Sequence, residues 1–312
     1  FGEMFDLEQE KELMSYDMYN SKNINKQYLP LEKCLDYFEN DDDKKTYLNN
    51  CKKFECIENE IVDIIKYSSS YCAIDVSVMK AGYNQFRKDI LKICDLDIIN
   101  YCSIASLAND YMVKEGCFNG CYALSGVPRE FIQRFVVGGK VMVANNKKIH
   151  KTEFEEALAD FDGVSLYPSS MYRMEGYLMG KPKIIQTEDL NRNFLFSKDG
   201  FFVKVECLNN STIKRAFPPL SRMNDEGVRD FNNETKGKIF YLDKQSFIDC
   251  EEFSGLKFRI IQGYYYDEGR NNKVNEVIKT LFDERLKKKN EGNMIQKTYK
   301  LLMNSSYGKT LL

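Results

Sequence analysis

The chain has 312 residues, 43% hydrophobic and 13% aromatic, with a formal net charge of −2 and a single histidine. That much apolar mass fills one large core or two smaller ones, which excludes a disordered or fibrous chain. With only His150 available, histidine bases and histidine metal clusters are nearly closed, and carboxylates, lysines and tyrosines must carry any chemistry.

The longest apolar runs, such as Phe135 to Gly139, fall far short of the roughly 20 residues of a membrane span, and no basic-then-apolar leader opens the chain. A soluble, intracellular chain with no membrane partner is expected. It opens on Phe1 and stops at Leu312 after a Gly-Lys-Thr, which reads as truncation at both ends. Ten cysteines are scattered along the chain, and the closest pairs, Cys51 with Cys56 and Cys117 with Cys121, lack zinc-ribbon spacing. Reduced thiols are expected.

In chain order, residues up to about 125 read as mainly helical with loops, Glu60 to Ile65 and Asp75 to Ile90 being the clearest periodic stretches. Phe135 to Val143 is β-rich, with paired Gly138 and Gly139 suited to a bulge or a close backbone approach. Ala157 to Asp162 is a short strand candidate running into Gly163, and a helix is expected to begin near Pro168. From about 175 to 268 the pattern is β-rich and interrupted by turns; Phe201 to Val205 and Leu256 to Ile261 alternate clearly. Val274, Val277, Ile278, Leu281 and Phe282 then fall at helical spacing, Glu291-Gly292-Asn293 breaks the pattern, and a second helix is expected from Met294 to Ser306. These last elements predict an antiparallel helical hairpin.

On the second hairpin helix, Lys300, Asn304 and Tyr307 stand at i, i+4 and i+7 and share a face; on the first, Arg285 and Lys289 stand at i, i+4. Facing cations across a hairpin could clamp an anion such as a triphosphate. The same residues equally describe a hairpin with solvated lysines, and the overall charge argues mildly against a nucleic-acid partner. Asp162 precedes a turn and a helix start, where amide groups and a hard carboxylate oxygen suit phosphate and Mg²⁺. A lone aspartate there also reads as a helix cap, and one carboxylate cannot hold two metal ions.

Two segments change the balance. Asp162-Gly163-Val164-Ser165-Leu166-Tyr167-Pro168-Ser169 resembles motif A of the family B DNA polymerases, and Lys300-Leu301-Leu302-Met303-Asn304-Ser305-Ser306-Tyr307-Gly308 resembles their motif B. They occur in the family's order at domain-scale separation. Upstream, Tyr71-Cys72-Ala73-Ile74-Asp75 is similar to the Tyr-x-x-x-Asp motif of the family's 3′–5′ exonuclease, and Val136-Val137-Gly138-Gly139 to the Tyr-x-Gly-Gly linker, with valine in place of the tyrosine. Only about fifteen residues separate Arg285 from Lys300, so the hairpin is short, as in the protein-primed viral, linear-plasmid or organellar branch.

The resemblance implies roles. Asp162, with the carbonyl of Gly163, would hold two catalytic Mg²⁺ ions, Mn²⁺ being an alternative. Ser165, Leu166 and Tyr167 would take the nucleotide, the Tyr167 ring lying under the deoxyribose. Lys300 would stabilise the leaving pyrophosphate, with Arg285 and Lys289 as further fingers cations. Asn304 and Tyr307 would line the base-pair pocket; Gly138, Gly139, Tyr307 and Gly308 would touch DNA. Tyr71 and Asp75 would serve the exonuclease, Asp75 as a metal ligand. Asp160 lies outside the motif register and is expected to be structural.

The implied architecture is an α/β chain: the C-terminal part of an RNase H-like exonuclease domain (1–125), an incomplete polymerase palm with motif A (126–174), palm strands and a terminal-protein-region-like insertion (175–268), and short two-helix fingers with motif B (269–312). The implied activity is DNA-directed DNA polymerisation, a nucleotidyl transfer in DNA replication. Its partners would be template–primer DNA, deoxynucleoside triphosphates and a terminal priming protein. Without the family's Tyr-x-Asp-Thr-Asp motif C the fragment itself would be inactive. The alternatives are a degenerate relic serving as a DNA-binding or scaffold module, and an exonuclease-dominated repair protein. The polymerase expectation rests on Asp162 and Lys300 meeting at one magnesium-bound nucleotide.

Overall fold

The computed structural model describes residues 12–144, 147, 161–223 and 227–308. It is a mixed α/β chain of two compact units, one from residues 1–107 with 282–302, the other from 108–281 with 303–312.

In the first unit, β1 (Tyr28–Pro30), α1 (Leu31–Leu35) and α2 (Asp41–Lys53) precede β2 (Ile57–Glu58), β3 (Ile61–Asp63) and the long α3 (Ile64–Cys94). The three strands form an antiparallel sheet in the order β1-β3-β2. Asn40 caps α2 by accepting from the Asp43 amide, and Asp63 caps α3 by accepting from the Lys66 amide at 2.8 Å. The expected helical stretch at Glu60 to Ile65 is therefore strand up to Asp63 and helix only from Ile64. Asp63 favours an N-cap over a helix interior because its carboxylate competes for backbone donors. On α3 the buried residues Ile64, Tyr67, Tyr71, Val78, Gly82, Phe86 and Ile90 keep to one face. Tyr67 anchors the core, its ring 4.7 Å from that of Tyr47 and 5.2 Å from that of Phe54. Each fully buried aromatic of this kind contributes roughly 1.5–3 kcal/mol.

Next come α4 (Ile104–Lys114) and α5 (Gly126–Gln133), then α6 (Leu166–Arg173) and β4 (Tyr177–Leu178). The second unit is organised by an antiparallel sheet of β5 (Lys183–Ile184), β10 (Phe258–Tyr266), β6 (Gly200–Cys207) and β9 (Ile239–Asp243), in that order. Strand β6 alternates strictly, so Phe201, Val203, Val205 and Cys207 face a core shared with α7 (Arg192–Phe196) and α8 (Lys244–Ser254). A hairpin of β7 (Ser221–Met223) and β8 (Arg229–Phe231) lies between β6 and β9 in sequence. On the opposite face, Phe202, Tyr241 and Tyr264 receive Phe131 and Phe135, with ring centroids 5.2–5.9 Å apart.

That packing explains why Phe135 to Val143, expected to be β-rich, contains no strand. Phe135 meets the sheet on its face, where no ladder groups are offered. Further along, Lys140 donates to the Pro218 carbonyl and stands over the Phe231 ring at 5.0 Å, so side chains hold the segment instead of a partner strand. Of the Ala157 to Asp162 strand candidate, residues 157–160 lie outside the described residues, while Phe161 and Asp162 are not in a strand. Asp160 and His150 are likewise outside.

Strand β11 (Arg270–Asn271) leads into α9 (Lys273–Asn290), and α10 (Ile295–Gly308) follows a turn at Gly292, φ +68°. The expected helical hairpin is present. Among the described residues no helix is long and apolar enough to cross a membrane, and all ten cysteines are free thiols.

Candidate functional site

Helix α6 starts at Leu166, two residues before Pro168, which is tolerated because first-turn positions need no amide hydrogen bond. Ser165 precedes it in the left-handed region, φ 47° and ψ 50°, and the Ser169 hydroxyl donates to the Val164 carbonyl at 3.1 Å. The amides of Leu166 and Tyr167 have no intrahelical acceptor, so they are available to an anion. Asp162 and Gly163 lie exposed just ahead of this turn, and Ser165 is half-buried. Pro168 and Met171 are buried and anchor the helix from below.

The far end of α6 is held from β11 and α9. The Asn275 amide donates to the carbonyls of Met171, Tyr172 and Met174 at 3.0, 2.8 and 2.7 Å, closing the helix C-terminus. Beyond it, β4 pairs with β11, and Gly176 lies so close to the Asn271 carbonyl oxygen that a Cβ would sit 2.4 Å away, at φ +112°. Arg270 joins this lock by bonding the Gly176 carbonyl at 3.2 Å and pairing with Glu175 at 3.1 Å. These residues position the segment after Asp162, and pattern reading missed them. Asn271-Asn272 before a helix could have signalled a cap, since the Asn271 side chain accepts from the Lys273 amide at 2.9 Å; Asn275 carries no such signal.

Tyr167 stacks on Tyr307, with ring centroids 4.4 Å apart and planes 19° apart. Gly139 faces the Tyr167 hydroxyl, 3.8 Å from where its Cβ would lie, so the glycine pair meets the aromatic pair. Gly138 and Gly308 are exposed. Beside Tyr307 opens a groove of about 730 Å³, lined in part by Phe118, Tyr122, Phe135, Val136 and Val137. The structure thus gathers Tyr167, Tyr307 and Gly139 from three separate stretches of sequence.

The sequence itself matches the family described as DNA polymerase type B, organellar and viral, over residues 1–310. The chain belongs to this family. A comparison with curated proteins gives no match. Among solved structures, the chain is similar to Phi29 DNA polymerase complexed with single-stranded DNA: TM-score 0.51, 16% identity, 78% of this chain and 40% of that one. It is also similar to Phi29 DNA polymerase complexed with primer–template DNA and incoming nucleotide substrates: TM-score 0.50, 16% identity, 81% of this chain and 41% of that one. The chain spans about two fifths of the length of these polymerases, and at this identity the likeness is one of fold.

The remaining residues singled out in this type B chain fall as follows. On α10, Lys300 and Asn304 are exposed and Tyr307 half-buried, so the expected shared face exists. On α9, Arg285 is half-buried and Lys289 exposed, one turn apart. Among the described residues neither Lys289 nor Lys300 has an acidic partner, whereas Lys288 is tied to Glu291 at 2.7 Å. Tyr71 and Asp75 lie one turn apart inside α3; Tyr71 is buried with its hydroxyl 3.0 Å from that of Tyr16, and Asp75 is half-buried. Among the described residues no three acidic, cysteine or histidine side chains gather to hold a metal. Asp162 and Asp75 therefore each offer a single carboxylate.

Proposed function

We propose that this chain is the nucleotide-selecting portion of a template-directed DNA polymerase of the protein-primed kind, acting by metal-assisted phosphoryl transfer. The observation that carries this is the Tyr167–Tyr307 stack, because it joins the first turn of the motif A helix to the end of the motif B helix. Family membership over residues 1–310 supports the same reading.

In this reading the exposed Asp162 carboxylate, with the Gly163 carbonyl, contributes to Mg²⁺ binding. The chemistry of the donor fits, since Mg²⁺ takes few protein carboxylates and completes its shell with water and substrate phosphates. One carboxylate is too few for two ions, so a second must come from outside the described cluster of residues. When bound, the metal lowers the cost of charge on the attacking and leaving oxygens. The chain's own residues bind and orient. The Leu166 and Tyr167 amides accept triphosphate oxygens, and Lys300, supported by Arg285 and Lys289, offsets the charge of the departing pyrophosphate. The Tyr167 ring, held flat by Tyr307, bars a 2′-hydroxyl, and Asn304 lines the base-pair pocket. Gly138, Gly139 and Gly308 let a DNA backbone approach closely.

Tyr71 and Asp75 are assigned to a 3′–5′ exonuclease of the parent enzyme, residues 175–268 to palm strands with the insertion that receives the terminal protein. The test is primer extension by the full-length parent with Asp162→Ala. Synthesis should be abolished while primer binding is retained; near-normal incorporation removes Asp162 from the site and ends this reading.

A further inference from the structure

A second cleft lies on the aromatic face of the sheet, away from the residues just described. It encloses about 670 Å³ between the β7–β8 hairpin, the strands β6 and β9, and the segment after α5. Arg134, Lys204, Arg222, Arg229 and Lys238 line it, and none of its described lining residues is acidic. None of Asp162, Tyr167 and Tyr307 lines it.

The acids nearby do not neutralise these cations. Glu206, on the same face of β6, is taken by Arg259. Asp230, opposite Arg222 in the hairpin register, makes no ion pair with it among the described residues. The Arg222 Nε is buried with no hydrogen-bond partner among the described residues. A buried guanidinium nitrogen of this kind is costly unless an acceptor arrives from outside. Arg229 spends one nitrogen on the Ser221 hydroxyl at 2.9 Å, which orients the rest of its fork. Across the same hairpin, a second hollow of about 700 Å³ carries Lys147, Lys214 and Arg215 against one acid, Glu234, and reaches Phe231 on β8. Two adjoining basic hollows suit an extended polyanion better than one small anion.

We propose that this cleft is a phosphodiester-binding groove that holds a single nucleic-acid strand by its backbone. Its volume falls in the roughly 300–1,000 Å³ range that encloses small molecules, which admits one strand and not a duplex. Met223 and Ile239 fill the space between the cations, as the sugars of a strand require and an acidic peptide does not. Tyr241 offers no open stacking platform, because Phe131, Phe135 and Arg134 already cover it, with the Arg134 guanidinium donating to its hydroxyl at 2.8 Å. Binding is therefore independent of sequence and strongly dependent on salt. The groove goes beyond the polymerase reading and does not depend on it.

The experiment is fluorescence anisotropy of a labelled oligothymidylate with the full chain, in EDTA, across a salt series; EDTA removes any metal-dependent contribution of Asp162. The double variant Arg222→Gln/Arg229→Gln should weaken binding about tenfold or more at low salt. Its plot of log affinity against log salt should be shallower by about 1.4, at 0.7 for each single-strand phosphate lost. Circular dichroism establishes that the variant is folded; should it not be, Lys204→Gln/Lys238→Gln, at half-buried sheet positions, reads the same groove. Unchanged affinity and slope in a folded variant overturn the proposal. So does equal binding of polyglutamate at matched charge, which would make the cleft a general polyanion surface.

Discussion

Tyr167 and Tyr307 lie face to face, 4.4 Å between centroids, although 140 positions separate them in sequence. The pair holds the Tyr167 ring in one orientation, and Gly139 leaves room at its hydroxyl. A stack of this kind contributes about 0.5–1.5 kcal/mol beyond its buried area. A sugar-excluding role needs that rigidity, because a ring free to rotate would yield to an additional hydroxyl.

Tyr167→Val in the full-length parent should admit ribonucleotides, raising their incorporation relative to deoxynucleotides by at least about tenfold, the equivalent of 1.4 kcal/mol in discrimination. Tyr307→Ala should produce a smaller change in the same direction by loosening the ring. Steady-state incorporation of matched ribo- and deoxynucleotide pairs measures both, and an unchanged ratio in Tyr167→Val ends the steric assignment.

Asn275→Ala removes the donor shared by the Met171, Tyr172 and Met174 carbonyls. The expected loss is about 1–3 kcal/mol, because helix-end carbonyls are left without that partner. Urea unfolding of the chain gives the value, and a midpoint within error of the parent's would show that the cap contributes nothing.

Two glycines in the left-handed half of backbone space should behave differently. Gly176→Ala forces a methyl to within 2.4 Å of the Asn271 oxygen at φ +112°, so a loss of more than about 2 kcal/mol is expected. Gly292→Ala, at φ +68° with open space around it, should cost only about 1 kcal/mol. Thermal melts of the two variants should rank them in that order.

Asp89 provides a pH signature. Burial pushes its carboxyl above the ordinary value of 3.8, against opposing hydrogen bonds from Gln85 at 2.9 Å and Thr298 at 3.5 Å. The folded chain then binds this proton more tightly than the unfolded chain. Stability from this group is greatest below 3.8 and falls as pH rises through the raised folded value. Asp89→Asn should remove that slope, so its melting temperature relative to the parent should be higher at pH 8 than at pH 4. Equal differences at both pH values would contradict the burial effect.

Much of the candidate site was legible along the chain because its signals are local. Motif A and motif B are contiguous strings, and the hairpin announces itself through apolar residues at helical spacing broken at Gly292. Alternation placed β6, whose two faces meet different neighbours. Local patterns failed where a remote partner decides. Glu60 to Ile65 has the composition of a helix start, but β1 claims its first half as a strand, and Asp63 delays the helix. Phe135 to Val143 has strand composition, but its aromatic residue is taken by a sheet face, leaving it no edge to pair with.

The sequence by itself determined the family, the order of its motifs and the short helical hairpin, since each is written in residues that are neighbours or one helical turn apart. Only the tertiary structure decided that Tyr307 supports Tyr167, that Asn275 closes the motif A helix, and that scattered arginines and lysines line one cleft. Those relations depend on where the chain returns after long excursions, and the free energy that selects the return is spread over many packed side chains instead of residing in any one string.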